Sequence, residues 1–346
     1  MADLERIVSV LPDGAMNHNV MRNGIELLAT EIEARGMEHV MLDGVSDGFQ
    51  GDLLRYAMDP ACGIYVGHRY YDIGLLHSEV QGYLRRSFFD VIGRPVFATI
   101  QDHPYSTFMW SRIEHAARGT HFLCPTLEFE AEARLINPAL QNFHKIPAAH
   151  TELEVPTAEL KPLAERSLDV FMSCSFYLAT PGLAELRHRF AKYRNPMAKV
   201  IDEVYETGLT DRDSSIMALF LQSYRTHFGE DLVLASPLRQ ADADRLEVLS
   251  AIDNRIRFDR RVKVLRSVAA LDLPLRIAVT LDPAVRDKVR GVADNPRVEA
   301  VGRIDSARAR QYFLDTRFAI NVMPTYTAFV TERAVNAMML GCCVVS

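Results

Sequence analysis

Three short stretches combine residue types that do chemistry with backbone punctuation that would expose them. Near the end, an apolar strand, Phe318-Ala-Ile-Asn321-Val-Met-Pro324, runs into a loop and then a helix opening with Thr331-Glu332-Arg333. Gly341 stops that helix and a second apolar strand, Cys342 to Val345, begins at once. Thr331 suits a helix cap, and the N–H groups beside it face any anion placed there. Glu332 is favourable near a helix N-terminus and can accept hydrogen bonds from two adjacent hydroxyls. Asn336 lies one turn further on the same face and extends the hydroxyl contacts. The same residues also suit an ordinary capped helix, with Glu332 as dipole partner and Arg333 as its solvated neighbour.

The second stretch is Gln101-Asp102-His103-Pro104-Tyr105, directly after the apolar run Pro95–Ile100. That is the carboxyl end of a strand, where reactive groups gather in open α/β sheets. Asp102 could orient His103 as a proton acceptor, with Tyr105 lining the same mouth. A plain turn is the alternative, because Asp and Pro are turn formers and adjacent side chains often point apart. The third stretch, Pro12-Asp13-Gly14-Ala-Met-Asn17-His18, follows the first strand, and Asp13 or His18 could serve as the base instead. A helix cap explains it equally well. Its spacing lacks G-x-G-x-x-G, so no nicotinamide cofactor is expected.

Weaker candidates end other strands. Ser173 and Ser175 are small enough for close approach to a diphosphate, and Arg303 could neutralise a leaving group. His68, in Gly67-His68-Arg69-Tyr70-Tyr71, would line a second ligand's side. A turn and a solvated arginine explain these residues too. Asp211 and Asp213 fall in a charged stretch away from any strand end and read as a solvated turn, so no metal site is expected.

These groups need strands to carry them. Apolar runs without polar alternation, each followed by a helical pattern, imply parallel sheets covered on both faces. The fold class expected is α/β with two doubly wound, Rossmann-like domains facing an interdomain cleft. The first spans 1–149, a Glu/Pro/Leu-rich linker spans 150–166, and the second spans 167–346 with a helical insertion at about 181–271. A helix over 75–91 is expected in the first domain.

Composition narrows the classes. With 48% hydrophobic and 24% charged residues, the chain is of ordinary globular type, and 346 residues suit two domains. A net charge of −6 argues against nonspecific nucleic-acid binding. No apolar run approaches the ~20 residues of a membrane span, and the charged N-terminus does not read as a signal peptide, so a cytoplasmic location is expected. The five cysteines, Cys62, Cys124, Cys174, Cys342 and Cys343, lack C-x-x-C spacing and form neither a disulfide framework nor a zinc site. Oligomeric state is not legible.

The stretch Phe318–Ser346 resembles the donor-binding segment of GT-B glycosyltransferases, closest to the group related to the spore-maturation glycosyltransferases. That pattern runs N-x-x-P, then E-R-x-x-E-x-x-x-x-G, then a small apolar strand. Asn321, Pro324, Glu332, Arg333, Ala337, Met338 and Gly341 sit where it expects them, while Asn336 replaces its second glutamate. Val298–Ile304 also looks like the family's run into the motif. The resemblance implies a glycosyltransferase that moves sugar from a nucleotide-diphosphate donor to a glycan, lipid-linked or protein acceptor, in glycan, surface-polysaccharide or glycoconjugate synthesis. It implies no metal and no cofactor beyond the donor. Glu332, Asn336, Thr331, Arg333, Arg303, Ser173 and Ser175 would bind the donor. Asp13, Gly14, His68 and Tyr105 would bind the acceptor, and His103, Asp102 or His18 would carry the proton transfer. A nucleotide-sugar epimerase on the same fold stands as one alternative, and, because Asn336 lacks charge, a noncatalytic sugar-nucleotide-binding protein stands as another. The family's donor domain continues past the last strand, so the resemblance implies a truncated or unusually short one here.

Overall fold

A computed structural model describes residues 4–11, 20–67, 89–90, 93–146, 159–176, 181–322, 325 and 330–346. Asp13, Gly14, His18 and His68 lie outside the described residues, as does the expected helix over 75–91 apart from Phe89 and Asp90. The chain divides into two compact units, Met1–Ala149 with Val233–Glu247, and His150–Leu232 with Val248–Ser346.

The first unit runs β1 (Arg6–Leu11), α1 (Val20–Ala34), β2 (Glu38–Asp43), α2 (Phe49–Ala57), β3 (Cys62–Gly67), β4 (Val96–Thr99), α3 (Trp110–Glu114), β5 (Thr120–Cys124), α4 (Glu128–Ile136) and β6 (Asn142–Lys145). Its strands are ordered β2-β1-β3-β4-β5-β6 and every pairing is parallel. Burial explains the lack of alternation. In β3, Cys62, Ile64 and Val66 are buried while Tyr65, on the other face, bonds through its hydroxyl to Thr99 Oγ1 at 2.7 Å.

The second unit runs β7 (Leu168–Met172), α5 (Leu183–Lys192), α6 (Met197–Thr210), α7 (Ile216–Phe228), α8 (Gln240–Ala269, which belongs to this unit from Val248 on), β8 (Ile277–Val279), α9 (Arg290–Ala293), β9 (Val298–Ala300), α10 (Ser306–Leu314), β10 (Thr316–Ile320), α11 (Glu332–Met339) and β11 (Cys343–Val345). Five parallel strands are ordered β11-β10-β7-β8-β9. Val170 and Met172 of β7 pack with Phe258, Val262 and Leu265 of α8 on one face. Phe171 packs with Phe313 of α10 and Ala337 and Leu340 of the α11 segment on the other. Counted from β7, the order is 5-4-1-2-3, so the connection reverses between β7 and β10, where open α/β sheets place their ligands.

Residues Val233–Glu247, expected in the second domain, belong instead to the first unit. Leu238 N–H donates to Glu114 Oε1 at 2.8 Å, and Leu234 and Leu246 are buried. Asp242 stops the chain fraying there by accepting from the N–H groups of Ala235 and Arg239 as α8 begins. A contact reaching across 124 positions is invisible to local pattern.

The five cysteines are free, and Cys343 alone of them is exposed. Asp211 accepts from the N–H groups of Asp213 and Ser214, an Asx turn after α6. No described helix is long and apolar enough to cross a membrane.

One surface pair ties the first unit's stability to pH. His121 Nδ1 and His144 Nε2 lie 2.9 Å apart on neighbouring strands, so one ring donates and the other accepts. Burial first, and then the charge of His144, lowers the His121 pKa from its ordinary 6.5. On acidification the unfolded chain therefore takes up its proton before the folded chain does. Stability from this group is complete above pH 6.5 and falls as the pH drops from there through the depressed folded value. Urea unfolding from pH 8 to 5 should show that loss, and His121→Asn should flatten it; an unchanged pH slope in the variant would remove His121 as its source.

Candidate functional site

At the switch point of the second sheet, β7 delivers Ser173–Phe176 and β10 delivers Asn321. Thr280 Oγ1 at the end of β8 accepts Cys174 N–H at 2.8 Å and donates to Cys174 O at 2.8 Å, fixing the loop after β7. Asn321 fixes the other side. Its backbone N–H donates to Val345 O at 2.8 Å, and its Oδ1 accepts from Thr331 Oγ1 at 2.7 Å. Thr331 in turn caps α11, accepting Ala334 N–H at 3.3 Å. Glu332, Arg333 and Asn336 occupy the first two turns, each half-buried.

The cationic part of this site comes from α8. Asp253, Arg257 and Arg261 stand four residues apart and so form one ridge of that helix. Asp253 is buried and committed: Arg257 Nε donates to it at 2.8 Å, and Thr325 Oγ1, in the segment between β10 and α11, bonds to it as well. Arg261 is 7% exposed, yet its one hydrogen bond among the described residues runs from Nη1 to the carbonyl of Ser175. Burial draws its pKa down to about 10, and Arg333 and Arg257 are near enough to push the same way, against Cys174 and Asp253. Arg333 has no hydrogen-bond or ion-pair partner among the described residues. A buried cation held by one carbonyl and flanked by two more guanidiniums is costly in an empty chain. The charge deficit is that of an anion site, and guanidiniums suit the forked geometry of phosphate oxygens.

Other expected donor-side residues fall differently. Ser173 is half-buried, and Ser175 is exposed with its carbonyl spent on Arg261. Arg303 does not join the cluster. It lies beyond β9, is 71% exposed in its side chain and pairs with Asp282 at 2.5 Å. The β9 exit is two strands from the switch point and carries its own counter-charge.

In the first unit, the loop after β4 is more deeply buried than a cleft residue should be. His103 is 0% exposed and its Nδ1 lies 2.8 and 2.9 Å from the two oxygens of Glu132, which is 1% exposed on α4. The carboxylate facing the imidazole is therefore Glu132, where Asp102 was expected. Tyr105 stacks on His103 with ring centroids 4.6 Å apart, and Phe129 closes the edge at 5.5 Å. The turn itself forms as the Asp and Pro predict, with Ser106 N–H donating to His103 O at 2.8 Å. Among the described residues no group of three or more His, Cys, Asp or Glu side chains could hold a metal ion.

Fold and site together define an α/β protein with two parallel, Rossmann-like sheets and a basic cluster at the switch point of the second. No protein-family model matches the chain, and no curated protein matches it. Among solved structures it is similar to that of a putative branched-chain amino acid ABC transporter from Chromobacterium violaceum ATCC 12472. The two are 12% identical over 97% of this chain and 86% of that one, with a TM-score of 0.25. A likeness that slight carries no argument about either fold or ligand.

Proposed function

We propose that the chain is a glycosyltransferase of GT-B architecture whose second unit holds a nucleotide-diphosphate sugar. The observation that carries this reading is Arg261, buried at the switch point without a carboxylate partner and flanked by Arg257 and Arg333. The diphosphate would lie against these guanidiniums and the N-terminus of α11, which neutralise its charge as it leaves. Glu332 and Asn336, one turn apart, would take ribose or sugar hydroxyls. The acceptor, a glycan, lipid-linked or protein hydroxyl, would be served by the first unit, with His103 as the base if the reaction inverts. No metal is needed for this chemistry, because the arginines supply the positive charge.

The uncharged Asn336 favours one second reading, a sugar-nucleotide-binding protein without turnover. Thermal unfolding across a panel of nucleotide sugars, nucleoside diphosphates and pyrophosphate tests both, since a ligand stabilises by about RT ln(1 + [L]/Kd). A shift with nucleotide sugars that Glu332→Ala abolishes, while pyrophosphate still shifts, is the expected result. No shift with any nucleotide would sink both readings. Release of nucleoside diphosphate then separates transferase from binder.

A further inference from the structure

The tip of the α5–α6 hairpin gathers positive charge in a chain whose net charge is −6. From Leu186 to Ile201 there are five cations, Arg187, Arg189, Lys192, Arg194 and Lys199, and no Asp or Glu. Arg187 is committed, since its Nη2 donates to Asp202 Oδ2 at 2.8 Å. Lys192, Arg194 and Lys199 are exposed and have no ion-pair partner among the described residues. A solvated helical surface ordinarily mixes both signs, because interspersed acids offset the repulsion between cations.

The backbone fixes these cations at the turn. Leu186 is the one buried side chain of α5, so most of that helix faces water. It ends in a Schellman turn, in which Asn195 N–H donates to Phe190 O and Arg194 N–H to Ala191 O, both at 3.0 Å. Asn195 Oδ1 then accepts Met197 N–H at 2.9 Å as α6 begins. Such a turn needs a left-handed residue after the helix, usually glycine. Here that residue is Arg194, at φ +52. A cation thus stands at the apex in a conformation that side chains disfavour. Beside it Tyr193 is 73% exposed, with Lys192 Nζ 5.7 Å from its ring centroid.

We propose that this tip docks the chain on the surface of an anionic lipid bilayer. Lipid phosphates and carboxylates supply the counter-charge that the hairpin lacks. Tyr193 suits the same zone, where the body of its ring meets apolar groups and its hydroxyl stays wet. A hairpin tip presents itself to a plane. A nucleic acid would call for a basic stripe tracking its backbone, and the negative net charge of the chain opposes it. The proposal is independent of the transferase reading, because it needs neither donor nor turnover.

Co-sedimentation of the full chain with vesicles is the test, using phosphatidylcholine mixed with phosphatidylserine and phosphatidylcholine alone. The chain should bind the mixed vesicles only, and release them at ~1 M salt, where charges are screened within ~3 Å. Each cation near such a surface contributes roughly fivefold to partition. Replacing Lys192, Arg194 and Lys199 together by Gln should therefore weaken binding roughly 100-fold. The charge-keeping set Lys192→Arg, Arg194→Lys and Lys199→Arg should bind as the wild type does. Equal binding to the neutral vesicles, no binding to the mixed ones at low salt, or an unchanged triple Gln variant would overturn the proposal. A duplex oligonucleotide that displaces the vesicles through the same cations would assign the tip to nucleic acid and overturn it too. If the triple Gln variant loses its fold, the salt dependence and the neutral vesicles decide.

Discussion

Arg261→Met should cost the second unit its anion affinity and leave the empty chain as stable as before, or more so. The two halves of that expectation have one cause. Arg261 is 93% buried by the complement of its 7% exposure, and one carbonyl is its hydrogen-bond partner among the described residues. Among its neighbours Arg333 and Arg257 oppose its charge while Cys174 and Asp253 favour it, and the Asp253 carboxylate is already shared by Arg257 and Thr325. Methionine fills similar volume, loses one hydrogen bond worth about 1 kcal/mol and escapes the desolvation cost of the cation. Unfolding free energy should therefore be unchanged or up by about 1–2 kcal/mol. For a bound diphosphate the balance reverses: a desolvated charged hydrogen bond contributes about 1.5–3 kcal/mol, so Kd should rise roughly 10- to 100-fold. Urea unfolding and calorimetric titration with nucleoside diphosphates measure the two quantities on the same sample. A strongly destabilised variant with intact affinity would mean that Arg261 is structural and that the anion site lies elsewhere.

That residue also marks how far the sequence could be read. The alternation of apolar runs and helices is legible because parallel strands buried on both faces leave few polar positions, as in Val170-Phe-Met172. Thr331 as cap and Gly341 as stop are local signals, and both act as such: Thr331 takes Ala334 N–H, and Gly341 has φ +75. Arg261 was hidden by its surroundings, since Arg255, Arg257, Arg260 and Lys263 make that stretch of α8 look solvated. A signal was present all the same. Asp253, Arg257 and Arg261 follow one another at intervals of four, between Ile252, Ile256 and Val262 of the buried stripe, so at least one charge had to enter the core. Glu132 was beyond reach for a different reason. Its contact with His103 spans 29 positions and depends on how α4 is rotated against the β4 loop, which no spacing encodes.

Arg166→Met is expected to do the opposite of Arg261→Met, although both remove a buried arginine. Arg166 is 3% exposed, and its donors reach four backbone carbonyls and the Cys342 sulfur. Nε donates to Lys161 O at 3.0 Å, Nη1 to Phe313 O at 3.3 Å and Thr316 O at 2.6 Å, and Nη2 to Leu340 O at 3.0 Å. Phe313 and Leu340 end α10 and α11, so two helix C-termini point their negative ends at one cation. Removing the guanidinium takes a donor from each of those carbonyls; Phe313 O keeps the Cys342 thiol at 3.0 Å, and each carbonyl left unpaired where water cannot reach costs about 1–3 kcal/mol. A total loss of about 3–5 kcal/mol is a large share of the ~5–15 kcal/mol that holds a domain folded. Arg166→Lys should recover only part of it, because an ammonium cannot reproduce a planar fork aimed at carbonyls on separate elements. Gly341→Ala probes the same knot from outside. Its backbone is left-handed at φ +75, and an added Cβ would stand 2.7 Å from Arg166 Nη2, so it should lose more than the ~1 kcal/mol of the conformational cost alone. Urea midpoints of the three variants measure this directly, and an Arg166→Met chain within 1 kcal/mol of wild type would show that water, not Arg166, satisfies the two helix ends. The contrast follows from what each guanidinium faces: Arg166 meets carbonyls that belong to the fold, whereas Arg261 faces other cations and awaits an anion.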